Sequence, residues 1–136
     1  MGTEPLIRDA TAADVPELRE VRRRASLSNE GDRAFLDAHP EALDYELIAG
    51  ARTRVAELDG RIVGFATVLP DRELEDLFTD PDYMRRGVAT ALVRDAGAPL
   101  TVTANPHALA FYERVGFVSE GWDDTPGGPG HRMRLV

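Results

Sequence analysis

Residues 74–93, LEDLFTDPDYMRRGVATALV, constrain the fold more than any other stretch of the chain. Leu74, Leu77 and Phe78 form an apolar run that Asp80-Pro81 breaks. Two adjacent arginines then lead to Gly87 and an alanine-rich stretch in which Val88 and Leu92 are spaced i, i+4. The pattern predicts strand, turn, basic glycine loop and helix start. The first backbone N–H groups of a helix have no intrahelical acceptor, so with Arg85 and Arg86 beside them they form a natural anion site. Glycine at position 87 lets the backbone approach a ligand closely.

The rest of the chain arranges itself around that unit. Leu6-Ile7-Arg8 reads as a short first strand, and Thr11 to Asp14 has the spacing of a capping box ahead of Val15, Leu18, Val21 and Ala25. That helix should end near Ser26–Asn29; Glu30-Gly31-Asp32 is a break, Phe35-Leu36 suggests a second short helix before Pro40, and residues 41–51 fit helix or loop. The period then changes to two. Val55 to Leu69 reads as two strands joined by an Asp59-Gly60 turn, followed by a strand over Glu73–Thr79. A helix from about Gly87 to Asp95, a strand at Leu100–Thr103, and a helix opened by Asn105-Pro106 and closed at Gly116 come next. Phe117-Val118 opens a strand, Asp123–Gly130 reads as a loop, and Met133–Val136 as the last strand. The order β-α-α-β-β-β-α-β-α-β-β describes one α+β domain over residues 1–136, largely antiparallel in its first half.

Composition removes several classes of chemistry. The chain has no cysteine, which excludes disulfides, thiolate metal sites and thiol nucleophiles. A net charge of −8 argues against non-specific nucleic-acid binding. No apolar run approaches the ~20 residues of a membrane span. The N-terminus lacks the layout of a secretory signal, and Leu6 stands where myristoylation requires Ser or Thr, so the expectation is a cytoplasmic protein. His39, His107 and His131 offer no metal spacing.

Two segments together carry a resemblance. Met84-Arg85-Arg86-Gly87-Val88-Ala89 resembles the Q/R-x-x-G-x-G/A loop, and Asn105 with Ala108–Phe117 (ALAFYERVGF) resembles the N…A…FYE-x-x-GF segment, of the GNAT acyltransferase superfamily. The element order is similar too, so the resemblance covers nearly the whole chain. It implies a mixed, largely antiparallel sheet of six to seven strands flanked by about four helices, with two strands splayed at an acyl-CoA site. Two features depart from the family pattern: Met84 stands where Gln or Arg is usual, and the following helix is short.

By this resemblance the anion is the pyrophosphate of coenzyme A. Met84, Arg85, Arg86, Gly87, Val88, Ala89 and Thr90 would form the cradle, largely through main-chain groups. Leu77-Phe78-Thr79 would pair with the pantetheine arm like a strand, and Asn105, Phe111 and Tyr112 would complete the donor site. The resemblance also implies acetyl-CoA as co-substrate, a small-molecule or protein amine as acceptor, and a homodimer as the assembly to test.

Acetylating an amine requires a base for its proton, a donor for the developing oxyanion and an acid for the departing thiolate. Tyr112 is the family-matched acid, and with no cysteine direct transfer is the consistent route. Glu73 and Glu75 are the candidate bases; period two places them on one face with Leu77 and Thr79, and Asp76 on the other. Asp71, Glu73, Glu75, Asp76, Asp80 and Asp82 stand against Arg72 alone, an acidic approach suited to a cationic acceptor. Each residue also has a plainer reading: Tyr112 as core, Asn105 as an N-cap, the glutamates as solvated strand charges, His107 as surface, Trp122 as core or acceptor pocket. Two competing functions remain open from sequence, a non-catalytic acyl-CoA-binding regulatory module and a nucleotide-phosphate loop; the latter lacks either common glycine-loop pattern.

Overall fold

The computed structural model describes residues 4–27, 34, 37–40, 45–125 and 128–136. The break at Glu30–Asp32 and the proposed helix at Phe35-Leu36 lie outside the described residues. Among the described residues, seven strands form two antiparallel sheets: β1 (Leu6–Asp9), β2 (Arg52–Leu58), β3 (Arg61–Val68) and β4 (Leu74–Thr79) in that order, then β5 (Leu100–Ala104), β7 (Gly128–Leu135) and β6 (Val118–Thr125). Three α-helices are present among the described residues, α1 (Val15–Leu27), α2 (Val88–Ala96) and α3 (Leu109–Arg114). None of the helices is long and apolar enough to cross a membrane.

Strand β3 is an inner strand of the first sheet, between β2 and β4, and is buried on both faces. On one face Phe65 and Ile62 pack with Leu18 and Val21 of α1, with Val55 and with Tyr45. On the other, Val63 and Ala66 join Val88, Leu92 and Val93 of α2, and the same cluster continues through Leu100, Val102, Met133, Tyr112 and Phe117 of the second half. Phe65 is fully buried, which contributes roughly 1.5–3 kcal/mol by removal of its ring from water. Gly64 permits the close approach of α2: a Cβ there would stand 2.7 Å from Val88 Cγ1 and 2.9 Å from the Phe78 carbonyl.

The entry to α1 follows its sequence signature. The Asp14 carboxylate accepts the Thr11 N–H at 2.7 Å, and Arg8 donates to both its oxygens at 2.9 and 3.1 Å. The Arg8 guanidinium holds the Asp14 carboxyl down at about 2.

Two expectations need correction. Asp123–Gly130 is no open loop: β6 and β7 form a hairpin that stays paired to Thr125 and Gly128. Alternation along β4 also breaks, because Thr67 pairs with Asp76 and Val68 with Leu74, leaving Glu75 as an extra, bulged residue. Leu74 and Leu77, three positions apart, therefore both reach the α2 core. The glutamates no longer share a simple face with Leu77 and Thr79.

Candidate active site

The two sheets meet at one parallel bridge, Glu73 with Thr101, and then β4 and β5 diverge. Asp80 donates its N–H to the Val63 carbonyl at 2.8 Å, and Thr79 pairs with Gly64 and Leu77 with Ala66. Antiparallel hydrogen bonding alternates along a strand, so the N–H and C=O groups of Leu77 and Thr79 point away from β3, into the gap. The splay thus exposes strand backbone to an extended ligand.

The gap opens into a groove of about 830 Å³. Twelve of the residues expected at the donor site line it: Leu77, Phe78, Thr79, Met84, Arg85, Gly87, Val88, Ala89, Thr90, Asn105, Phe111 and Tyr112. Arg86, Glu73 and Glu75 do not. Arg86 is turned onto the ring of Tyr83, 5.3 Å from its centroid. Ala25, Ser26, Tyr83, His107, Ala108 and Arg114 join the lining without having been expected there. Their sequence signal is weak, since a C-terminal helical turn and a 3-10 turn reach the groove only through tertiary packing.

Local structure shapes the end of the groove at the start of α2. The α2 N-cap is Gly87, with φ 77°, and the first helical hydrogen bond runs from Ala91 N–H to the Gly87 carbonyl at 2.9 Å. The N–H groups of Val88, Ala89 and Thr90 are left for the groove. Arg85 also holds a positive φ of 65°, a conformation that costs of order 1–3 kcal/mol in a residue with a side chain. Arg85, Arg114 and the His107 imidazole line the groove, and no carboxylate among the described residues does, in a chain of net charge −8.

At the other end, Tyr112 is 7 % exposed and packs edge-on against Phe111 and Phe117, with ring centroids 5.2 and 5.1 Å away. Burial pushes its hydroxyl well above the ordinary tyrosine value, so it keeps its proton at neutral pH. Asn105 is the N-cap it was read as, its Oδ1 accepting the Ala108 N–H at 3.1 Å, and it lines the groove as well.

The acidic stretch is largely matched by arginines distant in sequence. Asp80 is buried beside Arg24 (3.3 Å) and Arg61 (3.6 Å), and Asp82 also meets Arg24. Glu73 is bound by Arg132. Asp76 is buried under the bulge, its pKa raised by desolvation, and its Oδ2 has no hydrogen-bond partner. Glu75 is exposed; partial desolvation, then the charges of Asp76 and Glu73, raise its pKa. Trp122 is 57 % exposed on β6, with the His131 ring 4.3 Å away, so it is not core.

Residues 49–119 match the family model described as the acetyltransferase (GNAT) domain. The chain belongs to the GNAT acetyltransferase family. Its GNAT relatives include the peptidyl-lysine N-acetyltransferase YiaC of Escherichia coli (strain K12), 30 % identical over 133 residues that cover 88 % of each chain. The uncharacterized N-acetyltransferase YafP of the same strain is 39 % identical over 75 residues, which cover 53 % of this chain and 49 % of that one. Against YafP the match thus spans about half the relative's length. The GNAT fold is shared with the PaiA N-acetyltransferase of Thermoplasma acidophilum, solved in complex with coenzyme A, at a TM-score of 0.75, 20 % identity and full coverage of both chains.

Proposed function

We propose that the protein transfers an acetyl group from acetyl-CoA directly to a primary amine of a small molecule or a protein. One observation carries this reading: a groove with no carboxylate among its described lining residues begins at a helix N-terminus flanked by arginines and ends in the gap between two splayed strands, beside a buried phenol. The residues fit the donor by their chemistry. Val88, Ala89 and Thr90 offer N–H groups to the pyrophosphate, with Arg85 and Arg114 supplying charge. The edge groups of Leu77 and Thr79 match the amides of the pantetheine arm, and Asn105 lies alongside. Met84 contributes backbone there, since its thioether donates no hydrogen bond.

In the reaction, the Leu77 N–H stabilises negative charge developing on the acyl oxygen. Glu75 takes the amine proton, directly or through water. Tyr112 gives its proton to the departing sulfur as the C–N bond forms and the C–S bond breaks. The YiaC relative, named for peptidyl-lysine, supports an amine acceptor.

Incubating purified protein with acetyl-CoA and pooled amines, with free thiol as readout, tests this; the chain's lack of cysteine removes background. Thiol release that requires both protein and amine, with a sequential rate law, is expected. Ping-pong kinetics would sink direct transfer, and acetyl-CoA binding without turnover of any amine would favour a regulatory module.

A further inference from the structure

We infer that the closed end of the β4–β5 splay is held by two side-chain clamps, Arg72 on one side and Glu73 with Arg132 on the other, which act as positioning residues for the thioester end of the donor. The inference rests on the acetyl-CoA reading of the groove.

Adjacent strands normally take their spacing from a ladder of hydrogen bonds. Here β4 and β5 share the single Glu73–Thr101 bridge, and the Thr101 N–H donates to the Arg72 carbonyl at 3.1 Å. So short a backbone contact leaves the angle between the strands poorly determined. Side chains supply what the ladder lacks. Glu73 Oε1 accepts the Thr101 hydroxyl at 2.7 Å, and both its oxygens face Arg132 Nη1 at 3.0 Å. The same Nη1 lies 2.7 Å from Thr103 Oγ1, so one guanidinium in β7 ties β4 to β5 and to its own strand. The Glu73 and Arg132 side chains are 18 % and 30 % exposed, which keeps the pair out of full solvent screening.

The next residue back makes the second clamp. Arg72 Nε donates to the Pro99 carbonyl at 2.9 Å, and its Nη2 to the carbonyls of Ala96 and Gly97 at 2.9 and 2.7 Å. These carbonyls are the end of α2 and the lead into β5. Arg72 adopts a φ of 71°, uncommon for a residue with a side chain, to make this reach. Leu77 and Asn105 each stand four residues beyond the bridge, at the open end, so a small change of angle at Glu73 is magnified where the acyl group sits. Glu73 in this geometry acts through position.

The test compares Glu73→Gln, Arg132→Gln, Arg132→Lys and the Glu73→Gln/Arg132→Gln double variant by calorimetric titration with acetyl-CoA and with adenosine 3′,5′-bisphosphate. The bisphosphate reports only the helix-terminus end. A shifted splay disturbs the contacts of the thioester and pantetheine end and misplaces the reacting groups, so the two Gln variants are expected to lose roughly tenfold in acetyl-CoA affinity and up to about a hundredfold in turnover while bisphosphate affinity stays within about twofold. Arg132→Lys should recover part of the loss, and the double variant should be no weaker than the poorer single one, because both remove one coupled interaction. Unchanged acetyl-CoA affinity in both Gln variants overturns the inference. Equal weakening of both ligands also overturns it, since that is general loss of structure. A Glu73→Gln variant that binds normally but loses turnover and the acid limb of its pH profile, with Arg132→Gln active, would make Glu73 the base instead. Failure of the wild-type protein to bind acetyl-CoA refutes the donor reading itself, an outcome separate from all of these.

Discussion

Arg86 lies over the ring of Tyr83, 5.3 Å from its centroid, while Arg61 lies over the same ring at 5.4 Å. The second arginine of the glycine loop is thereby drawn away from the groove that the first one lines. Truncating Arg86 should change acetyl-CoA affinity less than about threefold, whereas Arg85→Ala should lower it about tenfold, the worth of one charge-assisted hydrogen bond. Titration of both variants measures the difference. A larger loss at Arg86 would mean that it swings into the groove when the donor binds.

Tyr112 has no hydrogen-bond partner for its hydroxyl among the described residues, although the ring is buried. Removing the oxygen leaves no orphaned partner, so Tyr112→Phe should melt within a few degrees of the wild type. Turnover should nevertheless fall about a hundredfold, the usual worth of a positioned acid, with the KM for acetyl-CoA little changed. An unchanged kcat would remove Tyr112 from the chemistry.

Gly64 allows α2 to lie against β3, with Val88 Cγ1 only 2.7 Å from where a Cβ would stand. The Phe78 carbonyl, at 2.9 Å, belongs to β4 and yields less readily than a side chain. Gly64→Ala should cost about 1–3 kcal/mol by overpacking. Since Val88 opens α2, acetyl-CoA affinity should fall with it. Thermal denaturation and donor titration of the one variant give both readings; a melting point equal to the wild type's would show that α2 shifts without penalty.

Asp76 adds a pH dependence to the fold on the α1 face. Desolvation raises its pKa above 3.8, and the Thr67 hydrogen bond and the charge of Arg22 only partly oppose this. A folded pKa above the unfolded one means that the folded state binds the proton more tightly. The stability Asp76 contributes is complete below its unfolded pKa and is lost as pH rises through the raised folded value. Asp76→Asn cannot ionise and should lose less stability than the wild type as pH rises above the ordinary carboxylate range. Melting curves through and above that range decide it; parallel pH profiles for the two proteins would show that Asp76 does not titrate there.

Much of the groove lining was legible because its residues are contiguous. The glycine loop and the helix it starts are one local unit, and an N-terminus exposes its N–H groups whatever packs around it. Asn105-Pro106 is likewise a local signal, confirmed as a cap by the Asn105–Ala108 hydrogen bond. The bulge at Glu75 was not legible, because Val68 pairing with Leu74 while Thr67 pairs with Asp76 is a property of two strands together. The β6–β7 hairpin was obscured for a related reason: glycine and proline between Asp123 and Gly130 signal a turn, yet cross-strand pairing continues to Thr125 and Gly128.

By itself, the sequence determined the period of most elements, the place of the helix that opens on Gly87 and the absence of any cysteine nucleophile, since all of these depend on near neighbours or on composition. Only the tertiary structure decided the charges. Arg24, Arg61 and Arg132 reach Asp80, Asp82 and Glu73 across separations that no local pattern records, and they turn an acidic run into a set of ion pairs. The tertiary structure also set the splay itself, because two strands separated by a helix meet at one residue pair and are held there by side chains from a third strand. Short-range sterics and hydrogen bonding shape elements; the pairing of distant charges and strands requires the whole chain to close on itself.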